Sequence, residues 1–377
     1  MNKVELKSFL SDSFWIMPAT PKFTDSGIPY ITSKNIKNGV IEFDTAKYIS
    51  EKDFLKISKN RPIIKDDILI SMIGTLGEGA IVKDQYTRFY GQNVYLIRLN
   101  SSLLNHKFFL FFLRSIIAKR HLESQMNQST QRYLKAEHIE SLELPSLNIK
   151  QQENIVEELD KISRIIELKK EQIKEYDQLI KSRFVEMFEN KYEKIKVSTK
   201  LRTTSGGTPK SDNSEFYSDG TIPWLTSGEV NQGRIEKTEK YITEKGLANS
   251  SAKWIPKKSI VIAMYGATAG KVGIIEIPTT TNQAVCAVLP HDEYNPEYLR
   301  FAFEYISDEL AGKAVGGGQP NISQTIIKDS LIFNPPLEVQ REFSTFVKQI
   351  DKLKFEVQKS LNETKVLFDS LMQKYFG

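Results

Sequence analysis

Several stretches of this chain carry residue types that could do chemistry. GATAGKVG, from Gly266, comes near the spacing of a phosphate loop, in which glycine N–H groups and a lysine cradle an anion. It has one residue too few before Gly270-Lys271, and Val272 stands where a hydroxyl ligand for Mg²⁺ belongs. A similar stretch, GTLGEGA from Gly74, puts Glu78 in place of the lysine, so a tight strand-to-strand turn accounts better for both. NPPL, from Asn334, is one residue away from an N-P-P-aromatic tetrapeptide able to hold a flipped base for methylation. Leu337 replaces the aromatic residue, and no Gly-rich loop for S-adenosylmethionine follows an early strand. Its counterpart LPSL, from Leu144, lacks the asparagine, and prolines ahead of a helix are ordinary entry residues. His106, His121, His138 and His291 form no metal-ligand spacing, and Cys286, inside QAVCAVL, reads as a buried strand residue. No catalytic residue and no metal site is expected.

A different chemistry is better supplied. Amide, hydroxyl and basic side chains cluster at Thr32, Ser33, Lys34, Asn35, Gln92, Asn93, Ser129, Gln131, Arg132 and Tyr133 in the first half of the chain. In the second half they are Thr208, Lys210, Thr226, Ser227, Arg234, Tyr265, Lys271, Asn282, Gln283, Gln319, Asn321 and Ser323. Asn and Gln bond bidentately to adenine, Arg and Lys to guanine, and Ser or Thr to phosphate, which makes these the residue types of a DNA reader. Singly, each is also an ordinary turn or cap residue. What favours reading is recurrence at matching places. GGGQPNIS, residues 316–323, belongs with this set: the first half has QSTQRYLK there, with Gln131 matching Gln319, so the glycines serve close backbone approach and not a shared phosphate pocket.

That recurrence runs through the whole chain. GIPYITSKNIKNGVI answers TIPWLTSGEVNQGRI, KYISEK answers KYITEK, ILISMIGTLGEGAIV answers IVIAMYGATAGKVGII, and YGQNVYLIRL answers TTNQAVCAVL, in the same order and about 190 residues apart. Each copy begins with β-branched and aromatic runs punctuated by Gly, Asn and Asp, which predicts a strand-rich domain with one or two helices. FFLFFLRSIIA, from Phe108, predicts a buried helix and is too short and too interrupted by Arg114 to cross a bilayer. Each copy ends in a heptad-like run. The first places Ile155, Leu159, Ile162, Ile166, Ile173, Tyr176, Ile180 and Met187 on one seam, with polar lapses at Lys169 and Arg183. The second places Phe343, Phe346, Ile350, Leu353, Val357, Leu367 and Leu371 there, polar at Ser360 and Thr364. Helices of this length, on the order of 60 Å, cannot bury their stripes alone, so they are expected to pair.

The 377 residues suit more than one domain, 52 Lys+Arg against 47 Asp+Glu leave a mild net charge of +5, and the single cysteine excludes an intrachain disulfide framework. The polar start MNKVELKSFL has no apolar core of a secretory signal, which predicts a cytoplasmic protein without a membrane segment.

On GTPKSDNSEFYSDGTIPWLTSGEV, GGGQPNISQTIIKDSLIFNPPLEVQREF and the helices opening LNIKQQENIVEELDKI and LEVQREFSTFVKQIDKL, the whole chain resembles the specificity subunit of a type I restriction-modification enzyme. The resemblance implies an α+β fold: target-recognition domains at 1–149 and 193–335, and spacer helices at 150–192 and 336–377. These would pair as an antiparallel coiled coil in an internal pseudo-two-fold repeat. It implies a non-catalytic subunit that reads a bipartite double-stranded DNA target, one half per domain. Two modification (methyltransferase) subunits would dock on the helices, alongside restriction/translocase subunits. S-adenosylmethionine, ATP and Mg²⁺ would belong to those partners and not to this chain. MPATPKFTDSGIPYIT is shorter than its second-copy counterpart and STQRYL replaces GGQPNI, so the domains differ in subtype and the target is expected to be asymmetric.

Overall fold

The structure is a computed structural model that describes residues 2–16, 21–37, 39–71, 77–127, 134–313 and 321–377. It divides into two compact units, Met1–Lys170 with Lys359–Gly377, and Glu171–Gln358. Among the described residues no helix is long and apolar enough to cross a membrane.

In the first unit one sheet has the order Tyr90–Gly91, Ile28–Ile31, Lys47–Ile49, Phe23–Thr24, its first pair parallel. A second has the order Leu10–Ile16, Val94–Leu99, Ile68–Ser71, Gly79–Ile81. The second unit repeats the plan. Lys240–Ile242, Ile222–Leu225, Thr279–Thr281 and Trp254–Ile255 form the first sheet, again with a parallel pair, and Thr203–Ser205, Val285–Val288, Ile260–Ala263, Val272–Ile275 and Arg234–Ile235 the second. ILIS and IVIA lack polar alternation because both strands are covered on both faces. Ile68 and Ile70 pack with the helices while Leu69 packs between the sheets, and Ile260 and Ile262 divide from Val261 in the same way. Even the strained turn recurs: Asp66 at φ 68° and Lys258 at φ 71° precede these strands.

GATAGKVG is a hairpin turn, as its spacing suggests. The backbone N–H groups of Ala269, Gly270 and Lys271 are bonded to Gly266, Ala263 and Thr268 carbonyls, so none of the three is left for a phosphate. FFLFFLRSIIA differs from expectation, because it is two helices. His106–Arg114 buries Phe108 through Leu113, then Ser115 turns extended and its hydroxyl accepts the Ala118 N–H to start Ile116–Asn127.

The two long helices, Ile149–Phe188 and Leu337–Phe376, are 40 residues each, and each unit contains part of both. In the first unit Tyr375 bonds Glu158, and Lys169 Nζ donates to Ser360 Oγ at 2.6 Å and Thr364 Oγ1 at 2.8 Å. In the second, Lys354 pairs with Asp177, and Arg183 lies 3.6 Å from Glu342. Partner numbers fall as helix numbers rise, so the packing in each unit is antiparallel. The polar lapses at Lys169, Ser360 and Thr364 are thus one layer, in which each satisfies the other, a device that penalises slipped registers. Two expected seam residues are corrected. Leu353 and Leu367 are 47% and 51% exposed, and the line of buried and half-buried residues passes through Val347, Ile350, Lys354, Val357, Leu361, Thr364, Phe368, Met372 and Phe376. Interhelix pairing of Lys354 and Thr364 sets that line, which a search for apolar types alone misses. Ile155, Leu159, Ile162, Ile180, Phe343 and Ile350 are buried, while Ile166, Ile173, Val357 and Leu371 are half-buried.

How each helix is tied to its domain is also repeated. Asn105 and Asn295 cap the helices His106–Arg114 and Pro296–Tyr305, each side chain accepting two backbone N–H groups. The backbone N–H of Asn105 donates to Gln152 Oε1 at 2.8 Å, and Gln152 Nε2 donates to the Leu103 and Leu147 carbonyls. Gln340 makes the same bonds to Asn295, Glu293 and Pro335, and both glutamines are 1% exposed. Gln340→Leu should therefore destabilise the chain by roughly 1–3 kcal/mol for each backbone group left unpaired. Urea unfolding checks this, and an unchanged midpoint would show that the amide is not needed.

Candidate nucleic-acid interface

In the first unit the turns after two parallel strands are brought side by side. Ile31 and Gly91 pair, and the Gln92 N–H continues to the Ile31 carbonyl at 3.1 Å. Thr32 opens a short 3-10 turn, Ser33–Asn35, in which the Asn35 carboxamide oxygen accepts from the Thr32 N–H and hydroxyl while its nitrogen donates to Glu42 O and Thr45 Oγ1. Ser33 Oγ bridges to the Asn93 carbonyl at 2.5 Å and so stitches the two turns together. Thr32, Ser33, Lys34, Asn35, Gln92 and Asn93 all line one cavity of about 540 Å³. Of the six expected at a DNA interface, two are committed to the fold: Asn35 is 4% exposed with its amide fully engaged, and Ser33 is buried. These two, with Thr32, build the rim, and Lys34, Gln92 and Asn93 occupy it.

The second unit builds the same pair of turns from different residues. The Asn282 N–H continues to Leu225 O, and Glu229 takes the place of Asn35, accepting from the Thr226 N–H and hydroxyl and from the Glu239 N–H. Gly228 stands where the first unit has Lys34. Thr208 Oγ1 donates to Gln283 Oε1 at 2.5 Å, and Gly207 binds Thr281 through its N–H and Trp224 Nε1 through its carbonyl. The Gly206–Lys210 segment thus covers this face. Its glycines are required, since a Cβ on Gly206 would lie 1.8 Å from the Thr281 carbonyl oxygen. Lys210, Tyr265, Lys271 and Asn321 are exposed, and Ser227 is half-buried. Tyr265 and Asn321 form an isolated bridge, so the end of GGGQPNIS, with Ile322 bonded to the Met264 carbonyl, is an added extended pairing beside the Ile260–Ala263 strand.

Two second-copy candidates also make structural contacts. Arg234 is held by carboxylates, with Nη1 2.8 Å from both Glu276 and Glu297 and Nη2 3.4 Å from Asp351, so it fastens a strand to a long helix instead of reading guanine. Ser323 caps the helix Gln324–Asp329 by accepting the Ile326 N–H. Ser129, Gln131, Arg132, Tyr133 and Gln319 lie outside the described residues.

The residues weighed as catalytic have structural partners. Asn334 Oδ1 accepts from the Tyr294 hydroxyl at 2.6 Å, and Pro335 O from Gln340. Cys286 is buried in its strand, and burial pushes its thiol up to about 12, away from the thiolate a nucleophile needs. Among the described residues no group of three or more His, Cys, Asp or Glu could hold a metal ion. Sequence reasoning passed over Phe23, Tyr30, Thr45 and Lys47, which complete the lining of the first cavity. The period-2 spacing from Tyr30 to Thr32, and the repetition of Lys47 as Lys240, were the available signals.

Comparison with known proteins gives the family and the fold. The family described as the type I restriction modification DNA specificity domain matches residues 14–176 and again 197–364, one match for each copy. The EcoR124I/EcoR124II specificity subunit of Escherichia coli is 31% identical over 152 residues, covering 39% of this chain and 37% of that protein. The MjaIX specificity subunit of Methanocaldococcus jannaschii is 29% identical over 174 residues, 45% of this chain and 40% of that one. The matched stretches thus span well under half of these relatives' own lengths. In fold, a structure described under complex assembly and conformational transition of the type I R-M system superposes with TM-score 0.66, over 100% of this chain and 97% of that one at 17% identity. The type I restriction-modification system S subunit from M. genitalium does so with TM-score 0.53, over 100% and 96% at 17% identity.

Proposed function

From a chain that belongs to the type I restriction modification DNA specificity family, we propose a protein that reads an asymmetric, bipartite duplex DNA target, one half with each unit. The observation that carries this is the pair of apposed turns, Thr32–Asn35 with Gln92–Asn93 and Thr226–Glu229 with Asn282–Gln283. The backbone frame is the same in both units and the outward side chains differ. A shared frame with different side chains is what two half-sites of unlike sequence require.

In this reading the long helices form an antiparallel coiled coil relating two copies of one unit by an internal pseudo-two-fold axis, with recognition domains at 1–149 and 193–335. They carry exposed apolar residues that the chain itself leaves uncovered. Ile165, Leu168, Val366 and Leu367 lie in the first unit, and Leu179, Leu353 and Phe355 in the second. Surfaces of this kind mark protein interfaces, and two methyltransferase subunits are the partners proposed for them, with restriction subunits joining the complex in the cytoplasm. Methyl transfer with S-adenosylmethionine, and ATP-driven steps with Mg²⁺, belong to those partners.

The test is a single-base map of adenines methylated by this chain together with its modification partner. Two short defined sequences separated by an undefined spacer, not related by a palindrome, are expected. Methylation of one continuous sequence, or without sequence preference, would overturn the reading.

A further inference from the structure

The cavity of the first unit has features that base reading does not require. Tyr30 is 1% exposed, lines the cavity, and its hydroxyl has no hydrogen-bond partner among the described residues. A buried hydroxyl without a partner is costly unless something else satisfies it. In register, Tyr30 lies between Tyr90 and Lys47, and Tyr30 and Thr32 are two residues apart on one strand, so Tyr30, Lys47, Tyr90 and Thr32 share a sheet face. Lys47 Nζ sits 4.3 Å over the Phe23 ring, Lys34 is exposed at the rim, and neither has a carboxylate partner among the described residues. No described lining residue is acidic. The site therefore offers two ammonium groups and a phenol O–H, all donors. Burial pushes the Tyr30 phenol up to about 12, so it stays protonated and able to donate at neutral pH.

Resting on the DNA-reading function above, we propose that this cavity seats a phosphate of the DNA backbone, held by Lys34, Lys47 and the Tyr30 hydroxyl. The second unit lacks the site. Trp224 replaces Tyr30 and its N–H is already taken by Gly207, Gly228 replaces Lys34, and the Gly206–Lys210 segment covers the face. The first copy carries Pro18-Ala19 in sequence where the second has Gly206-Gly207. The two units thus differ in how much of their grip on DNA is electrostatic.

The test uses the assembled complex and a duplex carrying its own methylated target. Tyr30→Phe removes only the hydroxyl, so a purely structural role predicts unchanged or higher thermal stability and unchanged DNA affinity. The proposal predicts affinity about tenfold lower with no fall in the thermal midpoint, the size of a hydrogen bond to a charged group. Lys34→Met and Lys47→Met should each flatten the slope of log K against log salt, by about one for the pair's shared phosphate when both are replaced. If Tyr30→Phe binds as wild type and the double lysine variant keeps the wild-type slope, the proposal is overturned. It is also overturned if inorganic phosphate, at ionic strength matched with chloride, raises the midpoint of the wild type but not of Tyr30→Phe while both bind the duplex equally well, since the site would then belong to free phosphate. Failure of the reading function is seen separately: the wild-type complex would hold target and unrelated duplexes equally well.

Discussion

Exchanging residues 1–149 for the equivalent domain of another specificity subunit should change one half of the methylated sequence and leave the other half as it was. The first pair of turns, at Thr32–Asn35 and Gln92–Asn93, lies entirely within that stretch, and the second pair lies entirely outside it. Each wrong base pair in a half-site costs about 1–3 kcal/mol, so an unlike domain shifts preference by orders of magnitude over a few positions. The donor must carry the anchors through which this domain meets the long helices. These are the Asn105 cap bonded to Gln152, and the Phe108 and Phe112 rings, 5.1 Å and 5.9 Å from Phe376. A donor that keeps these anchors yet changes both halves, or neither, would refute the assignment of one reader to each unit.

Phe343→Ala should destabilise the chain by about 3–5 kcal/mol, the range for deleting a fully buried aromatic ring. Phe343 comes from the second long helix and lies 5.5 Å from Phe184 and from Phe188 on the first, and 5.3 Å from Phe301 in the helix Pro296–Tyr305. One ring therefore joins both helices of this unit to its strand-rich part. Leu353→Ala, ten residues along the same helix, removes a side chain that is half exposed and should change stability by no more than about 0.5 kcal/mol. Chemical denaturation of the two variants side by side checks both values, and equal losses would contradict the buried line described for this helix.

Much of the fold was legible because its signals are local or repeated. A duplicated order of motifs, Gly- and Pro-free helical runs, and short β-branched strands can each be read without knowing what they touch. The paired glutamines, Gln152 and Gln340, were not legible. A lone polar residue in a Lys- and Glu-rich helix looks solvated until its backbone partners at Leu103, Asn105, Glu293 and Asn295 are known. The break at Ser115 was hidden for a similar reason: an apolar run shows burial but not where the chain turns.

The amino-acid sequence by itself determined that this protein is one unit written twice, with paired turns rich in amide and hydroxyl groups and two long amphipathic helices. Those features follow from composition and period along the chain. Tertiary structure alone decided which polar residues are spent. Asn35 and Ser33 build the rim beside which Lys34 and Asn93 stand, Arg234 is claimed by three carboxylates, and Tyr30 is left with a hydroxyl that nothing described satisfies. The physical reason is that a hydrogen-bonding group's availability is set by what lies within about 3 Å of it in space, and its neighbours there come from strands and helices tens to hundreds of residues away.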